Sequence, residues 1–277
     1  MIQIVDPIAL GSTPYIMPGC SCSGPKPAGS CAPGGRCDAY RPDPQPSGNL
    51  QVDPDILLPS PGMNVDLAMY YNSSTVPGSA FANGPYGLGR TMSCGANASL
   101  LSGSSILIER GNGALATYTS TLGSGWTPGT PGVLNTLVVS ALAETIAETT
   151  PDGVTTVYPL KSGGAPQTLT YVQDSVGNIH SYIYSSGLLQ NIQDGSGRLV
   201  TFLYSGGLLQ TIEDWAGRRT TFAYDTVSAS PSNLLTTVTG PTGCQTQYQY
   251  TELVLSKSNA WLLTGIVDPN GWGTSYT

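Results

Sequence analysis

A twenty-residue repeat in the C-terminal half of the chain is the feature that most restricts its fold. The segments DSVGNIHSYIYSSGLLQNIQ, from Asp174, and DGSGRLVTFLYSGGLLQTIE, from Asp194, carry Asp, Gly, an aromatic residue, Tyr, a second Gly and Ile at the same offsets. A third copy begins at Asp214. A fixed period of this length is typical of repeat architectures, in which each copy is one supersecondary unit that packs on its neighbours.

Each copy of the repeat is predicted to be a β-hairpin. In GRLVTFLY, Val200 and Phe202 share one face of a strand because side chains alternate along it. SGG then supplies Gly206 and Gly207 for the positive φ angles of a tight turn, and LLQTIED returns as the second strand. The Asp-x-x-Gly sequence that follows is typical of a type I turn, in which the Asp side chain accepts backbone N–H groups.

Looser copies extend the pattern toward both ends. The third copy carries a longer loop, DTVSASPSN, a fourth begins at Gly240, and a fifth opens at Asp268 and is incomplete. Upstream, PDGVTTVYPL (151–160) keeps the spacing of Gly and Tyr and reads as a degenerate copy. The segment VVSALAETIAETT (138–150) has a helix-like composition, but its β-branched residues and its place between strands favour a strand.

Because a single hairpin is only marginally stable in water, we expect the hairpins to stack side by side. Stacking predicts two rows of aromatic core residues, one at Tyr182, Phe202, Phe222, Tyr248 and Tyr276 and the other at Tyr184, Tyr204, Tyr224 and Tyr250. The predicted turn-capping residues are Asp174, Asp194, Asp214 and Asp268, with weak calcium binding by this row as the alternative. Arg198, Arg218 and Arg219 are expected to pair with the neighbouring Asp residues.

Composition favours an all-β fold over a helical one. Charged residues make up 10% of the chain, against about 25% in an ordinary soluble domain, and 35 Gly and 22 Pro disfavour helices. The net charge of −7 offers no positive field to a nucleic acid, and no apolar run approaches the roughly 18 residues of a membrane helix. We therefore expect an all-β protein with no nucleic-acid partner and no membrane span.

Four cysteines, Cys20, Cys22, Cys31 and Cys37, lie in a stretch with few large apolar residues. Such a segment is typically stabilised by disulfides, and all the possible pairings stay open. A thiolate metal site is one alternative, although the C-x-C-x8-C-x5-C spacing matches no common zinc pattern and the one histidine is remote in sequence; free thiols are another. Disulfides favour an extracellular or cell-surface location.

The repeat pattern G-R-x-x-x-[FY]-x-Y-x-x-G-x-L-x-x-I-x-D resembles that of the Rhs/YD-repeat family, found in bacterial Rhs proteins, toxin-complex cocoon subunits and the teneurin shell. The resemblance is plainest over 174–224 and looser to 277. Residues 56–74, 84–101 and 106–119 resemble the region that precedes the repeats, although Gly-Leu-Gly-Arg stands where Trp is common in the family. The resemblance implies a spirally wound β-sheet strip, or β-solenoid, of which this chain supplies a short curved piece.

Three parts are predicted on this basis. Residues 1–47 form a Cys/Pro/Gly-rich, loop-rich connector, 48–150 an Rhs-like N-terminal β region, and 151–277 a series of YD-repeat hairpins that stops within a repeat. The motifs G-x-S-x-G, H-E-x-x-H, P-loop and G-x-G-x-x-G do not occur, and the lone His180 is predicted to be a surface residue of a repeat. We expect no enzymatic activity, no cofactor and no metal.

The leading functional hypothesis is a non-enzymatic extracellular structural protein. Its partner would be a second copy of itself, with the N-terminal segment of one copy docking on the open C-terminal repeat of the next, so that a head-to-tail filament forms. One alternative is a wall fragment of a larger Rhs polymorphic-toxin shell. Another is a cell-surface or carbohydrate adhesion module that uses exposed Trp126, Trp215, Trp261 and Trp272.

Overall fold

The computed structural model describes residues 55–72, 83–120, 125–227, 232–254 and 259–276. These residues contain 23 strands, one turn of 3-10 helix at Ser93–Gly95, and no α-helix. The all-β prediction is therefore confirmed for the described part of the chain. The segment 138–150, which has a helix-like composition, forms parts of two strands as expected.

The strands follow one another closely along the chain. In order they are β1 (Asp55–Leu58), β2 (Val65–Tyr71), β3 (Asn83–Gly84), β4 (Gly87–Leu88), β5 (Arg90–Met92), β6 (Asn97–Ser102), β7 (Ser105–Glu109), β8 (Leu115–Ser120), β9 (Trp126–Pro128), β10 (Thr136–Ser140), β11 (Thr145–Thr149), β12 (Thr155–Pro159), β13 (Gln167–Thr168), β14 (Tyr171–Gln173), β15 (Ile179–Ser185), β16 (Leu188–Gln193), β17 (Leu199–Ser205), β18 (Leu208–Glu213), β19 (Arg219–Val227), β20 (Ser232–Thr239), β21 (Gln245–Val254), β22 (Asn259–Val267) and β23 (Gly273–Ser275).

Eighteen of these strands, β6 to β23, form one antiparallel sheet of sequential hairpins. The sheet is open: β23 pairs with β22 on one side, and its other edge has no partner among the described strands. The short strand β13 pairs with β6, while β12 pairs directly with β14. Smaller sheets are formed by β1, β2 and β5 and by β3 and β4.

The described residues belong to two compact units, each with its own core. The first comprises Leu57–Leu67 and Met92–Leu199, and its most buried side chains include Ile106, Ile108 and Tyr118. The second comprises Ala68–Thr91 and Val200–Thr277, and its most buried side chains include Phe202, Leu209 and Leu235.

Seven turns share one backbone geometry. In each, the N–H of the first residue bonds to the carbonyl of the fifth, and the N–H of the glycine at the fourth position bonds to the carbonyl of the first. The glycine has a positive φ, between 74° and 94° across the set, as a type I turn followed by a glycine bulge requires. The first residues of the turns are Arg110, Thr150, Asp174, Asp194, Asp214, Gly240 and Asp268.

Four hairpins also share a bulge at the same position. The ladder shifts register just before the second aromatic residue of each repeat, so that an aliphatic residue faces the first aromatic residue and a leucine faces the second. The bulges precede Tyr184, Tyr204, Tyr224 and Tyr250. A common bulge in successive hairpins shows that the sequence repeat is also a repeat of backbone structure.

The turn between β15 and β16 provides a test of backbone strain. Ser186 has φ 51° and Gly187 φ 78°, and Gly206 and Gly207 take the same two positions in the next hairpin. A side chain in this left-handed region costs about 1–2 kcal/mol. Because a Cβ at Gly206 would meet no atom within 4 Å, the cost at this site comes from the backbone alone.

We therefore expect Ser186→Gly to raise the free energy of unfolding by up to about 1 kcal/mol and Gly206→Ser to lower it by a similar amount. Urea unfolding of the two variants measures both changes. Ser185→Gly, one residue outside the turn, is the matched control and should be destabilising, since it only adds chain entropy. Equal effects of Ser185→Gly and Ser186→Gly would contradict the assignment of backbone strain to Ser186.

Candidate functional site

The acidic residues at the turns bind their own backbone. In the turn at Asp194, Oδ1 accepts the N–H groups of Ser196 and Arg198, each at 2.9 Å, and Oδ2 accepts the Arg198 Nε–H at 2.7 Å. Asp214 makes the same three bonds with Ala216 and Arg218. These carboxylates are thus engaged within their turns.

The other two turns vary this arrangement. Asp174 uses the Asn178 side chain, whose Nδ2–H donates to Oδ2 at 2.6 Å, in place of an arginine. Asp268 accepts the N–H groups of Asn270 and Trp272, both at 2.9 Å, at Oδ1. Arg219, which was expected to join these pairs, instead binds Glu213 at 2.6 Å.

A segment from before the repeats lies on these turns in the first unit. The Ser60 hydroxyl donates to Asp194 Oδ2 at 2.7 Å, and Arg198 Nη2 reaches the Pro59 carbonyl at 3.4 Å. Gly62 has φ 83°, and a Cβ there would collide with the side chain of Asn178. The segment 57–67 is therefore held against the turn row by contacts that the sequence period alone does not reveal.

These bonds change the acidity of Asp194. Burial raises its pKa, but the hydrogen bonds from Ser60 and Arg198 outweigh burial and lower the pKa to about 2. A carboxyl group with a depressed pKa stabilises the folded state above its unfolded pKa of about 3.8, and this contribution is lost as the pH falls toward 2.

His180 is buried in the same unit, 3% exposed, which corrects the expectation of a surface residue. It hydrogen-bonds to the backbone of Met63, and its Nε2 has no hydrogen-bond partner among the described residues. Burial lowers its pKa below 6.5, and the Met63 bond and the charges of Asp194 and Asp174 offset only part of this effect. The neutral imidazole is therefore the form that the fold favours.

The aromatic residues of the repeats lie where the hairpins pack. Phe202 and Phe222 are buried and face Ile212 and Val238 across their ladders. Ile212 faces Phe202 on one neighbouring strand and Thr220 on the other. Phe222 therefore lies two residues further along β19 than the position level with Phe202, and aliphatic side chains separate the aromatic residues of the row. Tyr248 is buried and faces Ile266, and Tyr182 is half-buried and faces Ile192.

The second aromatic row is half-buried: it comprises Tyr184, Tyr204, Tyr224 and Tyr250. The Tyr184 hydroxyl donates to the Cys94 carbonyl at 3.2 Å. The Tyr250 hydroxyl donates to the Leu235 carbonyl at 2.9 Å. Tyr276, which was placed in the first row, is also half-buried, and its N–H donates to the Thr264 carbonyl at 2.8 Å.

The second unit contains a buried cation surrounded by tyrosines. Arg90 is 1% exposed, and its Nε and Nη2 donate to the Tyr250 hydroxyl at 3.3 and 3.1 Å. Its guanidinium carbon lies 4.2 Å from the ring centre of Tyr248 and 5.5 Å from that of Tyr71. We call Tyr71, Tyr248 and Tyr250 the tyrosine cage. No motif in the sequence distinguishes Arg90 from a surface arginine.

Tyr71 connects this cage to the last hairpin. Its hydroxyl accepts the N–H of Leu263 at 3.1 Å, and its ring meets that of Tyr250 edge-on at 6.4 Å. Burial raises the pKa of Tyr71 to about 12, so the hydroxyl stays neutral at physiological pH. The cage therefore offers cation–π and hydrogen-bond stabilisation rather than proton transfer.

A buried carboxylate occupies the core of the first unit. Glu148 Oε1 accepts hydrogen bonds from Tyr118 Oη at 2.6 Å, Arg110 Nη2 at 2.7 Å and Asn135 Nδ2 at 3.0 Å. Burial and the bond to Glu148 raise the pKa of Tyr118 well above its ordinary value. Three donors on one oxygen compensate the desolvation of the carboxylate, and the cluster joins three separate stretches of chain.

The remaining candidates are placed as follows. Cys20, Cys22, Cys31 and Cys37, and the whole connector 1–47, lie outside the described residues. Cys94 and Cys244 are both buried. Trp272 is 53% exposed, whereas Trp126, Trp215 and Trp261 are half-buried, which corrects their expected exposure.

The described residues hold no cluster of three or more His, Cys, Asp or Glu side chains able to bind a metal ion. They also hold no helix with the length and hydropathy needed to cross a membrane. In comparisons with known proteins, no family model matches the chain and no curated protein matches its sequence.

The turn at Asp194 gives a second prediction. Asp194→Ala removes four hydrogen bonds, two of them from Ser60 and the Arg198 side chain, and should lower the free energy of unfolding by about 2–3 kcal/mol. Asp268→Ala removes two backbone bonds and should cost about 1 kcal/mol. Chemical unfolding at pH 7 measures the free energy of unfolding of both variants. Equal decreases would show that the hydrogen bonds from Ser60 and the Arg198 side chain contribute nothing to stability.

His180 gives a third prediction, which concerns pH. The pKa of His180 is lower in the folded state than the unfolded value near 6.5. The free energy of unfolding should therefore be unaffected by this residue above pH 6.5 and should decrease as the pH falls below 6.5, by at most about 1.4 kcal/mol for each pH unit. His180→Phe should remove this part of the pH dependence of the free energy of unfolding and leave the part that comes from the acidic groups. Unfolding curves between pH 7.5 and 5 measure the difference, and parallel pH profiles for the two proteins would refute it.

Proposed function

We propose that this chain is a non-enzymatic structural module of the Rhs/YD type, whose strip of hairpins associates end to end with further copies. The observation that carries the proposal is the equivalence of successive hairpins, which repeat one turn, one bulge and one pattern of buried residues. The polar clusters of both units bind one chain segment to another. These features support a role in which the fold itself, rather than a reactive site, is the functional part of the described residues.

The bulges support the finer proposal of a twisted, curved strip. A bulge increases the local right-handed twist of a strand, and four bulges at equivalent positions add their twist in the same sense. We therefore propose that the sheet is a piece of β-solenoid wall. An extracellular or cell-surface location is part of the same proposal and rests on the cysteine-rich connector.

The edge of β23 supports self-association. Gly273, Thr274 and Ser275 are exposed, and β22 is the described strand on their one paired side. Tyr276 N–H donates to Thr264 on β22, so alternation along the strand directs the Ser275 N–H toward the open side. Unpaired backbone groups on an edge are a template for strand addition. We propose that the connector 1–47 of a second copy supplies the added segment.

A fourth prediction tests this edge. Ser275→Pro removes the outward N–H while sparing the ladder to β22, and should weaken association about tenfold or more. Light scattering and electron microscopy of the full chain at rising concentration measure assembly, with Ser275→Ala as the control that keeps the N–H. Monodisperse monomers of the unaltered protein at high concentration, or equal assembly of the proline and alanine variants, would refute end-to-end association.

The wall of a larger polymorphic-toxin shell is the second candidate, and the same hairpin equivalence favours it. The two candidates differ in what covers β23: a second copy in a filament, or further hairpins of the same polypeptide in a shell. Reading the gene beyond codon 277 distinguishes them. Additional YD repeats followed by an unrelated domain would favour the shell.

Adhesion is supported by one described residue. Trp272 is exposed in the turn next to a shallow groove lined by Gln245, Gln247 and Asp268. An indole ring beside amide and carboxylate groups is compatible with sugar binding. Glycan-array binding that is lost in Trp272→Ala would favour this function over a purely structural one.

A further inference from the structure

The turn at Asp268 lacks a contact that the other three aspartate turns make. In those turns the fifth residue donates a side-chain N–H to Oδ2 of the aspartate, from Asn178, Arg198 and Arg218 at 2.6, 2.7 and 2.6 Å. The fifth residue of the last turn is Trp272, and the described residues donate to the Asp268 carboxylate at Oδ1 alone. Its Oδ2 acceptor is therefore open to a donor from elsewhere.

Space for such a donor exists beside this carboxylate. Asp268 is half-buried, whereas the side chains of Asp194 and Asp214 are 1% and 2% exposed. Asp268 also lines an open groove of about 320 Å³. Of the four aspartate turns, this is the one with both an unoccupied Oδ2 and a groove next to it.

The groove suits the side chain of an arginine. Among the described residues that line it, Asp268 alone is charged. The exposed side chains of Gln245 and Gln247 offer amide oxygens to further N–H groups, and Val267 offers apolar surface to a methylene stem. The Trp272 indole, which follows the groove in sequence, is 53% exposed, and a guanidinium stacks favourably on such a ring.

The arginines of the described residues are already committed. Arg90 lies in the tyrosine cage, and the other four form ion pairs with acidic side chains. The chain has two more arginines, Arg36 and Arg41, which stand at the two ends of segment 36–41 in the connector. The connector is thus the source of arginine that the described contacts leave available.

The turn at Asp268 adjoins the edge at which the connector is proposed to add. It joins β22 to β23, and β23 begins at Gly273, directly after Trp272. A segment that pairs with the free edge of β23 therefore passes this turn within a few residues.

We propose that the turn at Asp268 binds an arginine from segment 36–41 of a second copy. The guanidinium donates to Asp268 Oδ2, as Arg198 and Arg218 do within their own turns, and stacks on the Trp272 indole. This contact rests on the proposed end-to-end association and gives it a register, because backbone pairing with a three-residue strand specifies register only weakly.

A peptide-binding measurement tests the site. The receptor is the full chain with Arg36→Gln and Arg41→Gln, so that its own connector does not compete. The probe is a fluorescent peptide of residues 33–47, in which Cys37→Ser prevents oxidation, and fluorescence anisotropy measures its dissociation constant. Asp268→Asn in the receptor keeps the Oδ1 acceptor of the turn and should raise the dissociation constant about fivefold.

Matched variants separate this contact from general charge effects. Asp225→Asn removes an exposed negative charge from the same unit and should leave the dissociation constant unchanged. Trp272→Leu should raise it about threefold, because the aliphatic side chain offers no π face. A peptide with Arg36→Gln and Arg41→Gln should bind weakly and should no longer respond to Asp268→Asn.

Mixing two defective copies tests whether the arginine comes from a neighbour. The full chain with Asp268→Asn keeps its connector arginines, and the full chain with Arg36→Gln and Arg41→Gln keeps Asp268. Each alone should assemble poorly, whereas an equimolar mixture should form two-copy complexes that grow no further. A mixture that associates no more than its components do would overturn the supply of arginine by a second copy.

Equal dissociation constants for the Asp268→Asn and Asp225→Asn receptors would overturn the proposal, as would a peptide that does not bind. If Ser275→Pro abolishes assembly while the full chain with Asp268→Asn assembles like the unaltered protein, the edge is correct and the arginine contact is wrong. If the peptide binds through Asp268 while the unaltered chain stays monomeric, end-to-end association is refuted and the arginine site is confirmed.

Discussion

The glycine at the fourth position of each inter-hairpin turn is the constraint on which the architecture depends. Its positive φ turns the chain back in a fixed register, and the first residue of the turn closes the loop with the fifth. Register matters because a slip of one residue would move Val200 and Phe202 from the buried face to the exposed one. One turn, repeated seven times, therefore fixes both the direction and the facing of the hairpins.

The side chains differ from one turn to the next because the turn geometry is held by backbone hydrogen bonds and by the conformation of the glycine. Asp194 pairs with the charged Arg198 side chain and Asp174 with the uncharged Asn178 side chain, whereas the turn from Gly240 to Cys244 keeps the backbone bonds without a capping carboxylate. The charged version also binds Ser60, so the exchange changes what a turn can hold on its outside. Local variation of this kind lets a uniform strip carry different contacts at different repeats.

The sequence was sufficient for the all-β class and for hairpins from 174 onward, since period, turn glycines and strand alternation agree there. It did not single out the earlier turn at Arg110, because this turn lies outside the twenty-residue period, although Gly113 and Tyr118 keep the five-residue offset of the repeats. It also missed the displacement of Phe222 along β19, because a sequence offset does not specify cross-strand register. The strand pattern does not show that His180 is buried, because the segment 57–67 that packs against it lies outside the repeats.

Most of the contacts that the repeat period does not predict are made by segments outside the repeats. A row of hairpins buries its apolar face only where another element covers it, and Ser60, Met63 and Tyr71 all come from stretches without a period. Their contacts are polar and are buried or partly buried: the Ser60 hydroxyl binds the Asp194 carboxylate, a Met63 backbone group binds His180, and the Tyr71 phenol accepts the Leu263 N–H. Because a buried polar contact is favourable only in the geometry that satisfies it, such contacts specify where each segment lies, whereas apolar packing alone would allow it to slide along the repeats.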